Sequence, residues 1–172
     1  ELVIGGKVQR DDTMQAAGIK IFGKHFKRLL QHEAGTIEGI DPEELHDMRV
    51  ASRRLRAALR VFRPAFGQRL FGFKRDLPYV TRALGGVRDI DVFIPKLKRA
   101  VEELGTFDVA LVEPMVAHLN AKRERNRTSM KRTLTSQRYR RLCERFTAFI
   151  EHGPAQTSRL EGASATVADC AP

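Results

Sequence analysis

The sequence predicts an all-α fold, an antiparallel helical bundle of about six helices. Three observations predict it. Apolar residues recur at three- and four-residue spacing, Gly and Pro punctuate the runs, and no hairpin dipeptide flanked by alternating β-branched residues occurs. The 172 residues, 42% of them hydrophobic, suit one compact domain and are too apolar for a disordered chain. No stretch approaches the roughly 18 uncharged apolar residues of a spanning helix, so the expectation is a soluble protein with no membrane partner, and the two unpaired cysteines, Cys143 and Cys170, add the expectation of a reducing, cytoplasmic setting. The chain opens Glu-Leu-Val-Ile-Gly-Gly, without an initiator Met or an apolar signal core, and reads as a piece of something longer.

The first helix is expected from Asp12 or Thr13 to Glu33, with Ile19, Phe22, Phe26, Leu29 and Leu30 on its buried face and an end near Gly35. His25, Arg28 and His32 share another face. The second has the clearest start: Asp41 as N-cap, Pro42 at the first helical position, and Glu43 and Glu44 where the helix dipole favours negative charge. It should stop near Arg63, before Pro64. A third is expected from Gln68 to Leu84, kinked at Pro78 and ended by Gly85-Gly86, and a fourth from Asp89 to Glu103 with Pro95 inside. Segments Glu113 to Leu134 and Ser136 to Glu151 complete the set, Ser136 serving as N-cap. After Gly153-Pro154 the residues turn small and polar, so the domain is expected over 11–152 and a tail or linker over 153–172.

Charge points to an anionic partner: Lys and Arg number 31 against 21 Asp and Glu, a net +10. The basic residues are 22 Arg to 9 Lys, and a planar guanidinium binds phosphate or carboxylate through two parallel hydrogen bonds. Trp is absent, Tyr occurs twice and most of the ten Phe sit in apolar patterns, which leaves few platforms for stacking bases. Cys143 and Cys170 form no Cys-x-x-Cys pair, so neither a zinc ribbon nor a disulfide framework is indicated.

The second helix concentrates the charge. From Arg49 to Arg63 there are six Arg and no acid. At about 100° per residue, His46, Arg49, Arg53, Arg56, Arg60 and Arg63 fall within roughly 100° of arc. Met48, Ala51, Leu55, Ala58, Leu59 and Phe62 fill a neighbouring arc, and Arg54 points elsewhere. At about 1.5 Å per residue the ladder spans about 21 Å. Like charges at i,i+4 repel, so the array costs helix stability unless an anion lies along it. A linear polyanion fits; a solvated face, or pairing with acids of neighbouring helices, is the competing reading. A second basic segment, 121–145, carries ten cations against Glu124 and Glu144. Its charges spread around the wheel, at least half reading as solvated surface, and Arg125 and Arg132 are the best candidates for one shared face.

The run His46-Asp-Met-Arg49-Val-Ala-Ser-Arg53-Arg54-Leu-Arg56-Ala-Ala-Leu-Arg60, followed by Leu84-Gly85-Gly-Val-Arg88-Asp89-Ile-Asp91-Val92, resembles the signature of the CHAD family, the conserved histidine α-helical domain. The resemblance covers roughly residues 11–152 and implies a helical bundle that binds inorganic polyphosphate along a basic, histidine-containing groove, with polyphosphate granules as a destination. It implies that His46, Arg49, Arg53, Arg56 and Arg60 line the groove with Arg88 nearby. Arg63, His25, Arg28, His32, Arg125 and Arg132 join them as further candidates from the charge pattern. The family domain looks like two similar halves, the second with its own His-x-x-Arg helix, which this chain lacks. The chain is therefore expected to correspond to the N-terminal half: a fragment of a longer protein, a naturally truncated one, or a half completed by a second copy in a homodimer.

Other chemistry finds little support. His25 and His32 are two turns apart, roughly 10 Å along a helix, and neither has an i,i+3 or i,i+4 His or Cys partner, so no metal site is expected. His46 beside phosphate would serve as a hydrogen-bond donor that adds charge in mildly acidic conditions. Asp89 and Asp91 lie about 200° apart on a helix and cannot share one site; Arg88-Asp89 reads as a cap and ion pair. With no phosphate-cradling Gly-Lys loop and no nucleophile elbow, neither an enzyme nor a cofactor is expected. Nonspecific nucleic-acid binding and docking of an acidic protein are the alternative functions.

Overall fold

A computed structural model describes residues 6–104, 109–153 and 166–168. Among these the chain folds as an all-α bundle, with helices α1 (Met14–Gln31), α2 (Glu33–Glu38), α3 (Pro42–Val61), α4 (Arg63–Phe66), α5 (Phe71–Leu104), α6 (Glu113–Leu134) and α7 (Gln137–His152). No helix is long and apolar enough to cross a membrane.

Local chemistry sets three of the helix starts. The Thr13 hydroxyl accepts from Ala16 N–H, Asp41 accepts from Glu43 N–H at 2.8 Å beside Pro42, and Ser136 accepts from Tyr139 N–H. The first helix stops two residues sooner than expected. A break at His32 starts α2, which places Gly35 inside a helix and moves the left-handed cap to Gly39, at φ +73°.

The expected third and fourth helices are one. α5 runs through Pro78, Gly85, Gly86 and Pro95 for 34 residues, so Gly85-Gly86 does not break the chain and Asp89 lies mid-helix. Each interior Gly costs about 1 kcal/mol and each Pro about 3. Tertiary packing offsets this: Phe73, Leu77, Val80, Leu84, Val87 and Ile90 form one buried stripe along α5. Glycine also lets α6 approach. Asn126 donates to the Gly86 carbonyl at 2.7 Å, and a Cβ on Gly86 would stand 3.4 Å from the Asn126 amide nitrogen.

α3 packs between α1 and α5, and α6 lies on the other side of α5, also touching α2. α5 starts near the C-terminal end of α3 and runs back past its start. A phenylalanine cluster centres the core: Phe22, Phe66, Phe73 and Phe146 are buried and Phe149 packs against them, with Phe73 and Phe146 at 4.6 Å. α7 is pinned by a pairing that no local pattern announces. Asp76, 3% exposed, accepts from Arg138 at 2.9 Å and from Arg145, while those guanidiniums lie over Tyr79 and Phe73. Beyond α7, the backbone N–H groups of Val167 and Ala168 donate to the carbonyls of Asp12 and Arg10. Cys170 lies outside the described residues.

Candidate functional site

The apolar arc of α3 (Leu45, Met48, Ala51, Leu55, Ala58, Leu59, Phe62) is buried, which turns the neighbouring arginine arc toward the edge of the bundle. There it meets α5. The C-terminal half of α3, the 63–70 segment that begins with α4 and the start of α5 enclose a cleft of about 1010 Å³ lined by Arg56, Arg60, Arg63, Phe71, Lys74 and Pro78, among others. Further along, Arg49 reaches Asp89 of α5 at 2.8 Å. Pro78, Arg82, Gly85 and Asp89, spaced by three or four residues, therefore form the α5 wall of a groove whose α3 wall is the arginine ladder.

Partners separate the ladder into two parts. Among the described residues Arg53, Arg56, Arg60 and Arg63 have no hydrogen-bond or ion-pair partner; Arg53, Arg60 and Arg63 are exposed and Arg56 half-buried. Lys74 is likewise unpaired, and Arg82 bonds only the Pro78 carbonyl, at 3.3 Å. These two cations of the α5 wall were not among the sequence candidates. Their helix carries no arginine ladder, and only the packing of α5 on α3 brings them to it.

The N-terminal end differs. Arg49 is paired with Asp89, so for this residue the competing reading of pairing with a neighbouring helix holds. The expected Arg88–Asp89 pair does not form, because on a continuous helix Asp89 points to α3. Arg88, 17% exposed, meets Glu43 at 3.5 Å instead, with its Nε buried and unpartnered. His46 is half-buried on α3, one turn before Arg49.

The other candidates are not gathered at the groove. Arg28 binds both carboxylate oxygens of Asp47 at 3.1 Å, and His32 meets Glu44 at 2.8 Å and Asp47 at 3.5 Å. Asp47 projects from α3 on the opposite flank of its apolar arc from the ladder and Glu44 from the first turn of that arc, so these contacts clamp α1 to α3. His25 is half-buried, and its pKa is lowered below the ordinary value by burial and then by the charges of Arg54, Lys24 and Arg28. Arg125 and Arg132 do share a face of α6, exposed and away from its buried Val116, Met130 and Leu134, but α5 separates that helix from α3. Elsewhere in the second basic segment, Arg123 pairs with Asp91, Arg138 and Arg145 hold Asp76, Arg127 binds the carbonyls of Glu38 and Gly39, and Arg140 binds that of Thr135.

No group of three His, Cys, Asp or Glu among the described residues is placed to hold a metal ion. Cys143 is half-buried, and burial pushes its thiol up to about 11, the wrong direction for a nucleophile at neutral pH. What the geometry offers is a linear cationic lane: several guanidiniums spaced by about a helical turn, with no acid partner among the described residues.

Fold and site together define a helical-bundle protein with an arginine-lined cleft beside α3. The CHAD domain model matches residues 20–171, and the chain belongs to that family. It is similar to a solved structure described as the crystal structure of the CHAD domain from the plant Ricinus communis, with a TM-score of 0.66 and 27% identity. The match covers 87% of this chain and 51% of that one, so this chain spans about half the length of that relative. A search of curated proteins returned no match.

Proposed function

We propose that the chain is a non-enzymatic binding module for inorganic polyphosphate, which it holds along the groove between α3 and α5. One observation carries the reading: Arg53, Arg56, Arg60 and Arg63 stand a turn or less apart with no acidic partner among the described residues. Elsewhere, Arg28, Arg123, Arg138 and Arg145 are each satisfied by carboxylates. Such an array repels itself and is relieved by an anion that presents charge continuously along about 10 Å of α3, the rise from Arg53 to Arg60, and on to Arg63 at the start of α4. Polyphosphate does this with oxygens that a guanidinium can grip in pairs. Association with polyphosphate granules and a cytoplasmic setting follow from that ligand.

Phe71, 67% exposed at the mouth of the cleft, is the observation that favours a second reading, single-stranded nucleic acid stacked on an aromatic platform beside the cations. One competition assay separates the two. With protein bound to labelled long-chain polyphosphate, single-stranded DNA and RNA at matched phosphate concentration should fail to displace it, whereas unlabelled polyphosphate should displace bound DNA. The reverse order would assign the groove to nucleic acid.

A further inference from the structure

Among the described residues two carboxylates stand at one end of the groove and none along the rest. Asp89, with its side chain 68% exposed, accepts from Arg49 Nη2 at 2.8 Å, and Glu43, 65% exposed, lies 3.5 Å from Arg88. In each pair the carboxylate is the more exposed member, Arg49 and Arg88 being 24% and 17% exposed. The carboxylate is thus the partner that a ligand arriving from solvent meets first. Both groups of the Arg49 pair lie over Gly85, where a Cβ would stand 3.7 Å from Arg49 Nε and 3.8 Å from Asp89 Oδ2. No side chain of residue 85 shields them.

A polyanion entering the lane meets unpaired guanidiniums from Arg53 to Arg63. At Arg49 it meets a carboxylate already seated, which must be displaced and which repels phosphate oxygen until it is. We propose that Asp89 is a built-in competing anion. It masks Arg49, closes the end of the groove nearest the start of α3 and confines the phosphate chain to the stretch from Arg53 to Arg63. The proposal rests on the groove reading above and assigns it a boundary. The opposite role, Asp89 holding Arg49 in position for phosphate, predicts the opposite sign on its removal.

The test compares polyphosphate affinity across a salt series for the full chain, Asp89→Asn, and Glu144→Gln as a control. Glu144 is exposed on α7, so its neutralisation changes net charge equally without touching the groove. Asp89→Asn should bind about fivefold tighter at low salt, the scale of an exposed ion pair. The slope of log affinity against log salt should steepen by about 0.7, since one more phosphate is neutralised. Glu144→Gln should match the parent protein. Weaker or unchanged binding by Asp89→Asn, or an equal gain from Glu144→Gln, overturns the proposal while leaving the groove reading in place. No polyphosphate binding by any of the three overturns both.

Discussion

Replacing Arg53, Arg56 and Arg60 together by Ala tests the groove at its centre. None of the three bonds another described residue, and all lie off the buried arc of α3, so the fold should survive with little change in stability. Six cations lie in or beside the cleft with no acid partner among the described residues: Arg56, Arg60, Arg63 and Lys74 line it, and Arg53 and Arg82 continue its two walls. If each neutralises one phosphate of a flexible polyanion, the slope of log affinity against log salt is about −4, and the triple variant retains about half of it. Raising salt from about 50 to about 200 mM should then weaken parental binding about 300-fold and the variant's about 20-fold. Fluorescence anisotropy with end-labelled polyphosphate measures both slopes, and circular dichroism checks the fold. A folded triple variant that keeps the parental slope would refute the assignment of these residues.

Three further outcomes test the structure around the groove. Asp76→Ala should lower stability by about 2 kcal/mol in chemical denaturation, less than for a fully buried pair because Arg138 and Arg145 remain half-exposed. Burial pushes the Asp76 carboxyl up, but the hydrogen bonds from Arg138 and Arg145 outweigh it and leave the pKa below the ordinary 3.8. Its stabilisation should therefore be complete above the unfolded-state value and fade as pH falls through the lower folded one. Gly85→Ala should stabilise the protein by up to about 1 kcal/mol, because the helix is continuous there and the nearest atoms leave room for a methyl group; a loss of stability would mean a break at the glycine pair. His25 should titrate below 6.5 in NMR, so that falling pH through the unfolded-state value costs stability as the folded state resists the proton.

Much of the fold is legible because its signals are local. Asp41-Pro42, Thr13 and Ser136 cap the helices that follow them through atoms two or three residues away. The α3 ladder is likewise a property of one helix as far as Arg60, since periodicity alone puts His46 to Arg60 on one side and Met48 to Leu59 on the next; Arg63, expected on the same helix, starts α4 after a break at Phe62. The break predicted at Gly85-Gly86 fails for a physical reason: intrinsic propensity is worth about 1 kcal/mol per glycine, and a buried stripe contributed by six apolar side chains of α5 outweighs it.

The sequence by itself determined the all-α class, most helix boundaries and the linear concentration of positive charge on α3. Only the tertiary structure decided which of those charges are free. Arg49 finds Asp89 across 40 residues of chain, Arg28 and His32 are spent joining α1 to α3, Arg125 and Arg132 end on another side of the bundle, and Lys74 and Arg82 arrive opposite the ladder. A helical wheel reports where a side chain points on its own helix, but the electrostatic state of an arginine depends on what the neighbouring helix places against it. That is fixed only when the helices pack.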